Sequence, residues 1–485
     1  MMADELTRAI NATLMPGFDG PVLPTWVAGE LEAGLGSVCL FDSNIVDPGQ
    51  LTALTSAIHE LRPEALVATD EEGGDVTRLH HRDGSPHASP AFLGRRDDLA
   101  ATRATAASIG VQLREAGFDL DLAPDADVNS DPRNPVIGVR SFGDDPYRVA
   151  RHVAAYVDGL QSAGVAACAK HFPGHGDTAT DSHAELPVVG VGPDVLAARE
   201  LVPFVAAVQA GALSVMTSHI LVPSIDPHFP ATLSPAVLGI LRRDLGFPGA
   251  IVSDALDMAG ASAGRGIPEA AVLALAAGVD LMCIGADNTA EQLAEIRTHV
   301  AAAVRSGRLA EARVFEAAER VAELARRVAE RRAEPASEAT APAIDEAAFW
   351  LRDGLPVITA PVIVRLDSEG NPALARTPWG IGEHLRTDLD RWLPGASCVT
   401  VGDPEELRKA MSRSAGRPLV VQGRDLGRVP FLAAAVALVR RERPDAVLVE
   451  LGWPEPRLAD VETYGAGRGT SVALIRLLAG VATGS

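Results

Sequence analysis

A (β/α)8 TIM-type barrel followed by a smaller α/β domain is the fold this sequence predicts. The first 330 residues alternate short apolar, β-branched runs with longer Ala/Leu-rich amphipathic stretches. The apolar runs are continuous, as expected of parallel strands buried on both faces. There are eight of them, with helical patterns between most, which suits a closed barrel better than an open sheet.

The expected strands, in order, are FDGPVL (18–23), SVCLFD (37–42), ALVATD (65–70), FDLDLA (118–123), VAACAK (165–170), LSVMTS (213–218), AIVSD (250–254) and DLMCIG (280–285). Helical patterns between them include 99–117 and 194–211. From about 307 a charged helix runs to Pro335, and PASEATAP (335–342) has linker composition, with small residues and a proline at each end. The following block carries strand candidates PVIVRL (361–366), SCVTV (397–401), PLVVQ (418–422) and AVLVE (446–450), separated by helical patterns. These readings divide the chain into a barrel at 1–334, a linker at 335–345 and an α/β sandwich, three layers deep, at 346–485. No repeat with a fixed period is visible.

At 485 residues, a prior of roughly 100–200 residues per domain agrees with two or three domains. The net charge of −21 disfavours nucleic acid and anionic membrane surfaces, whose phosphates it repels. Cys39, Cys168, Cys283 and Cys398 are far apart and read as small buried hydrophobes in a reducing compartment. The N-terminal stretch lacks a basic segment leading into an apolar one, and no apolar run approaches the roughly 20 residues of a membrane span. A cytoplasmic protein is the expectation.

Barrel enzymes place their chemistry at the carboxyl ends of the strands. Charged residues gather at those ends here: Asp70, Lys170, His171, His219 and Asp254, with Asp121, Asp125 and Asp127 crowded after the fourth run. The densest stretch is KHFPGHGDTATDSHAELP (170–187). A zinc pair His171-x3-His175, with His183 or Asp177 as third ligand, needs a helix that Pro173, Gly174 and Gly176 discourage, so no metal or cofactor is expected. A GxSxG nucleophile elbow and a GxxxxGK[ST] phosphate loop are both absent. The glycines of YGAGRGT (464–470) have the wrong spacing for a dinucleotide loop and suit the start of the last helix.

Glycoside chemistry fits what remains. A retaining glycosidase needs a carboxylate nucleophile and a second group that first donates and then accepts a proton. Asp254, at a strand end, suits the first role. His183, two residues after Asp181 on a Gly/Pro-rich loop, suits the second, since a carboxylate beside an imidazole orients the ring and supports its charged form.

The stretches KHFPGHGDTATDSHAELP and IVSDALDMAG together resemble glycoside hydrolase family 3, in its NagZ-type β-N-acetylglucosaminidase branch. DEEGGDVTRL (70–79), LAPDADVN (122–129), NPVIGVRSFG (134–143), VMTSHI (215–220) and PATLSPAVL (230–238) follow in the family's order, so the resemblance covers roughly residues 10–330. It implies Asp254 as nucleophile, an Asp181–His183 acid/base dyad, and Asp70, Arg140, Lys170 and His171 as sugar-binding groups, with His219 in the same pocket. His175 and Asp177 are expected to shape the loop. The implied substrate is a small N-acetylglucosaminide, from chitobiose or from peptidoglycan recycling, and the implied partners allow a homodimer. The first motif often reads DQEGGRV in the family, whereas Asp75 stands here in place of the basic residue. That exchange is expected to disfavour an anionic aglycone. A phosphorylase or a β-glucosidase on the same scaffold, a non-catalytic sugar-binding barrel and a metal-dependent hydrolase are the competing readings.

Overall fold

The computed structural model describes residues 2–178, 186–335, 339–367 and 377–481. The chain packs as two compact units, both discontinuous in sequence: 1–71, 99–135 and 144–341 in the first, 72–98, 136–143 and 342–485 in the second. The single cut expected near 334–346 therefore differs from the packing at two short insertions. These insertions follow the third and fourth barrel strands and carry apolar side chains that are buried within the second unit. Phe92, for example, meets the Phe349 ring edge-on with centroids 6.0 Å apart.

In the first unit, eight strands form a parallel sheet in the order β1-β8-β7-β6-β5-β4-β3-β2. They are β1 (Leu14–Pro16), β2 (Ser37–Cys39), β3 (Leu66–Thr69), β4 (Leu120–Asp121), β5 (Ala166–Phe172), β6 (Ser214–Thr217), β7 (Ala250–Ser253) and β8 (Leu281–Gly285). Intervening helices, such as Leu99–Glu115 and Pro146–Ser162, complete a TIM-type barrel. Six of the eight expected runs contain the strands they predicted, and a seventh, 165–170, overlaps β5, which runs on to Phe172. The first does not, because the ladder with β8 forms earlier, at Leu14 and Met15. Beyond Pro16 the backbone of Gly17 lies so close to Ala286 that a Cβ would come within 2.6 Å of its carbonyl oxygen.

The barrel core is built from inward residues of most strands, among them Met15, Cys39, Leu120, Cys168, Val252 and Cys283. Val321, Leu324 and Val328, from the helix Glu311–Ala333, join the same cluster. That helix is clamped by two buried carboxylates at the amino ends of strands. Asp280, just before β8, pairs with Arg313 at 2.5 Å and Arg242 at 2.6 Å, and accepts the Ile251 N–H at 2.9 Å. Asp119, just before β4, pairs with Arg332 at 3.2 Å and His59 at 2.8 Å. Among the described residues no helix is long and apolar enough to cross a membrane.

The second unit holds a six-stranded sheet in the order β11-β10-β12-β13-β14-β9. Its strands are β9 (Trp350–Leu351), β10 (Val362–Leu366), β11 (Ser397–Val401), β12 (Leu419–Gly423), β13 (Val447–Glu450) and β14 (Val461–Glu462). Five are parallel and β9 is antiparallel to β14. The four expected strands are β10 to β13. The other two, each of two residues, are too short to leave a periodic signal. Val364, Val421 and Leu448 pack with Leu407, Leu432 and Val439 of the covering helices, giving the expected α/β sandwich.

Replacing Asp280 with Ala leaves two largely buried guanidinium groups without their carboxylate. Breaking such a pair typically costs about 3–5 kcal/mol. The expected result is a clear drop in the denaturant midpoint of the barrel, read by circular dichroism, while Glu330→Ala on the exposed side of the same helix changes it little.

Candidate active site

The carboxyl ends of β3, β5, β6 and β7 supply the charged groups of the barrel unit. Asp70 directly follows β3, Lys170 and His171 lie in the last three residues of β5, and Asp254 directly follows β7. Lys170 is 2% exposed and donates from Nζ to Asp70 Oδ1 at 2.8 Å. A buried ammonium is stable only with such a partner. Asp254 is half-buried; its backbone N–H bonds to Thr217 and its Oδ1 accepts the Ala255 N–H at 2.8 Å.

Asp127 organises the segment after β5. Its Oδ2 lies 2.7 Å from His171 Nδ1, and its Oδ1 accepts backbone N–H groups from His171 at 3.3 Å and His175 at 2.6 Å. Burial alone would raise the Asp127 pKa, but the neighbouring His171 and His175 outweigh it and hold the carboxyl below its ordinary value. Asp121 behaves oppositely: burial pushes it well above its ordinary value, against the pull of the Glu71 N–H and Lys170. These two acids at the same end of the barrel are thus not equivalent.

Asp125, Asp127 and His171 bring ligand atoms within 4.8 Å of one another. A cation there would displace the proton shared between His171 Nδ1 and Asp127, so the donor set is already committed to hydrogen bonding. The sequence spacing His171-x3-His175 does not form a helical pair either, since His171 sits on β5 and His175 turns its Nδ1 to Thr178 Oγ1 at 2.8 Å.

Two glycines let this segment pack. A Cβ on Gly176 would fall 1.7 Å from the Val128 carbonyl oxygen, and one on Gly174 (φ +123°) would meet Glu200 at 2.8 Å. Glu200 is buried against Gly174 and pairs with Arg199 at 2.5 Å, which also holds Asp177 at 2.5 Å. The sequence positions Asp181 and His183 lie outside the described residues.

His219, expected in the sugar pocket, is held by protein partners. It is fully buried, with Nδ1 3.0 Å from Thr232 Oγ1 and Nε2 2.9 Å from the Ala255 carbonyl oxygen. Both ring nitrogens are engaged by protein, so the ring holds the peptide that follows Asp254. Arg140 belongs to the second unit. It stands in the turn Gly138–Arg140 and makes a bidentate pair with Glu72, Nε to Oε2 at 2.9 Å and Nη2 to Oε1 at 2.7 Å. Asp127 is named from sequence as one of the acids after the fourth run but given no role there, and Glu72 is not singled out. Their signals were present in PDADVN and DEEGGD, but acidic residues next to other acids give no clue to which one is buried.

Asp75 also corrects an expectation. It is buried, accepts the Ala466 N–H at 2.7 Å and pairs with Arg424 at 3.1 Å. Its charge is neutralised, so the like-charge repulsion expected against an anionic aglycone has no bare carboxylate behind it.

Charged groups fixed at the carboxyl ends of barrel strands define a barrel enzyme site. The chain belongs to glycosyl hydrolase family 3: the model for that family's N-terminal domain matches residues 28–324. A β-hexosaminidase of Methylococcus capsulatus is 39% identical over 266 residues, 54% of this chain and 78% of the relative. β-Hexosaminidase A of Pseudoalteromonas piscicida is 36% identical over 282 residues, and the match spans 53% of this chain but 47% of that longer protein. Among solved structures, a family 3 β-N-acetylglucosaminidase from Paenibacillus sp. is similar over 99% of this chain and 97% of its own, with a TM-score of 0.87 and 30% identity. NagZ from Neisseria gonorrhoeae, solved with N-trifluoroacetyl-D-glucosamine, covers 64% of this chain and 97% of its own, with a TM-score of 0.52 and 31% identity.

The pH dependence of stability tests the packing of Glu200. Burial pushes this carboxyl up to about 7, against the opposing pull of Arg199. A carboxyl raised above its ordinary value of 4.5 binds its proton more tightly in the folded state. Its contribution is complete below about 4.5 and is lost as pH rises through about 7. Glu200→Gln is therefore expected to gain in melting temperature relative to the native chain across that interval, and a constant difference would contradict the assignment.

Proposed function

We propose that this chain is a retaining, exo-acting β-N-acetylglucosaminidase that forms a glycosyl intermediate on Asp254. The observation that carries the reading is the strand-end placement of Asp254, Lys170–Asp70 and His171–Asp127 on a barrel similar to β-N-acetylglucosaminidases over its whole length. Asp254 Oδ1 is oriented by the Ala255 N–H, and the Ala255 carbonyl is in turn held by His219. A carboxylate held in this way is positioned for attack on an anomeric carbon.

In this reading Lys170 and Asp70 bind sugar hydroxyls as donor and acceptor, and Asp127 fixes the tautomer and orientation of His171. His183, oriented by Asp181, protonates the leaving oxygen and later takes a proton from water. The substrate is a terminal, non-reducing β-linked N-acetylglucosamine. With Asp75 neutralised by Arg424, both chitobiose and anionic peptidoglycan fragments fit the reading.

Asp254→Ala is expected to lower p-nitrophenol release from its N-acetylglucosaminide by at least about a thousandfold, with the fold intact by circular dichroism. Product analysis on chitobiose and on a muropeptide, each with and without phosphate, gives the acceptor. Free N-acetylglucosamine at a phosphate-independent rate is expected; native turnover in Asp254→Ala, or a sugar 1-phosphate as the main product, overturns the reading.

A further inference from the structure

The turn Glu72-Gly73-Gly74-Asp75-Val76 begins two residues after Asp70 and is held at both ends within the second unit. At one end, Glu72 grips Arg140 through two hydrogen bonds of 2.9 and 2.7 Å. At the other, Asp75 is buried between the Ala466 N–H at 2.7 Å and the Arg424 guanidinium at 3.1 Å. The turn itself is tight, with the Gly73 N–H bonded to the Val76 carbonyl at 3.1 Å.

Arg424 comes from a particular place in the fold. It directly follows β12, at the carboxyl end of the sheet, where the order β11-β10-β12 reverses. In open parallel sheets that crevice is where ligands ordinarily bind. Here its arginine lies 4.5 Å from the centre of the Trp379 ring and is turned to Asp75.

YGAGRGT (464–470) completes the seat. The backbone is so close that a Cβ on Gly467 would come within 2.9 Å of the Gly74 carbonyl oxygen, and one on Gly465 within 2.5 Å of Ser89 Oγ. Ser89 Oγ also bonds to the Tyr464 carbonyl oxygen. Gly74 (φ +61°) leaves only 2.5 Å between a Cβ and Ser89. The glycines of this loop therefore serve close approach of a protein turn.

We infer that Arg424 and the YGAGRGT loop are positioning elements for Arg140 as a sugar-binding group: they seat the Glu72–Val76 turn through Asp75 and thereby set the orientation of Glu72 and Arg140. The inference rests on the reading of Arg140 as a sugar-binding group. The exchange of a basic residue for Asp75 is then matched by Arg424 within the same unit.

The test uses the full chain with Asp75→Asn, Arg424→Gln and Arg424→Lys, assayed on whichever aryl β-glycoside the native protein turns over. Loss of a group that contributes uniform binding raises KM with little change in kcat. A KM raised about tenfold in Asp75→Asn and Arg424→Gln is expected, with kcat within about twofold and Arg424→Lys nearer to native. Should Arg424→Gln fail to fold, Asp75→Asn and Arg424→Lys carry the same comparison. Native KM in folded Asp75→Asn, or a fall in kcat and melting temperature together without recovery in Arg424→Lys, overturns the inference. Absence of turnover on the N-acetylglucosaminide by the native protein overturns the proposed function instead.

Discussion

One buried carboxylate underlies the geometry of the barrel site. Asp127 accepts three hydrogen bonds, from the His171 ring and from the backbone of His171 and His175. An ionised acid in a dry interior is tolerable only with such a set of donors. Because the donors come from consecutive parts of one segment, satisfying the charge also fixes that segment's path. The orientation of His171, the turn at Gly174 and the close pass of Gly176 over Val128 all follow from it.

The same economy recurs around the molecule. Asp280 and Asp119, at the amino ends of strands, tie the helix Glu311–Ala333 to the barrel. In the second unit, Glu72 and Asp75 anchor a turn by pairing with Arg140 and Arg424. Each is a buried acid whose cost of desolvation is offset by a guanidinium, and at Asp280, Asp119 and Asp75 also by a backbone N–H. Stability and site geometry are therefore carried by the same interactions, and substitutions at these acids affect both.

Much of this was legible in the chain. Continuous apolar runs ending in Asp70, Lys170, His171 and Asp254 marked the strands and the charged groups at their ends, because a parallel barrel must bury its strands. Pro173, Gly174 and Gly176 correctly argued against a helical histidine pair. The short strands at 350 and 461 were not legible, since two residues have no period. Nor was β1, whose run ends at Pro16 and whose pairing depends on β8, far along the chain.

The sequence by itself determined the order of the elements, the family and the residue types available to the site, because local patterning and motif order are properties of the chain. Tertiary structure alone decided which of those residues have what role. Asp121 and Asp127 are six residues apart with identical side chains, yet burial raises one while two histidines lower the other. The partners of the His219 ring nitrogens, Thr232 Oγ1 and the Ala255 carbonyl oxygen, are set by the fold and not by its sequence neighbours. Asp75 looked like a bare charge until Arg424, nearly 350 residues later, was found beside it. The reason is the same in each case: the state of a polar group is set by the partners and the dielectric around it, and those are supplied by distant parts of the chain.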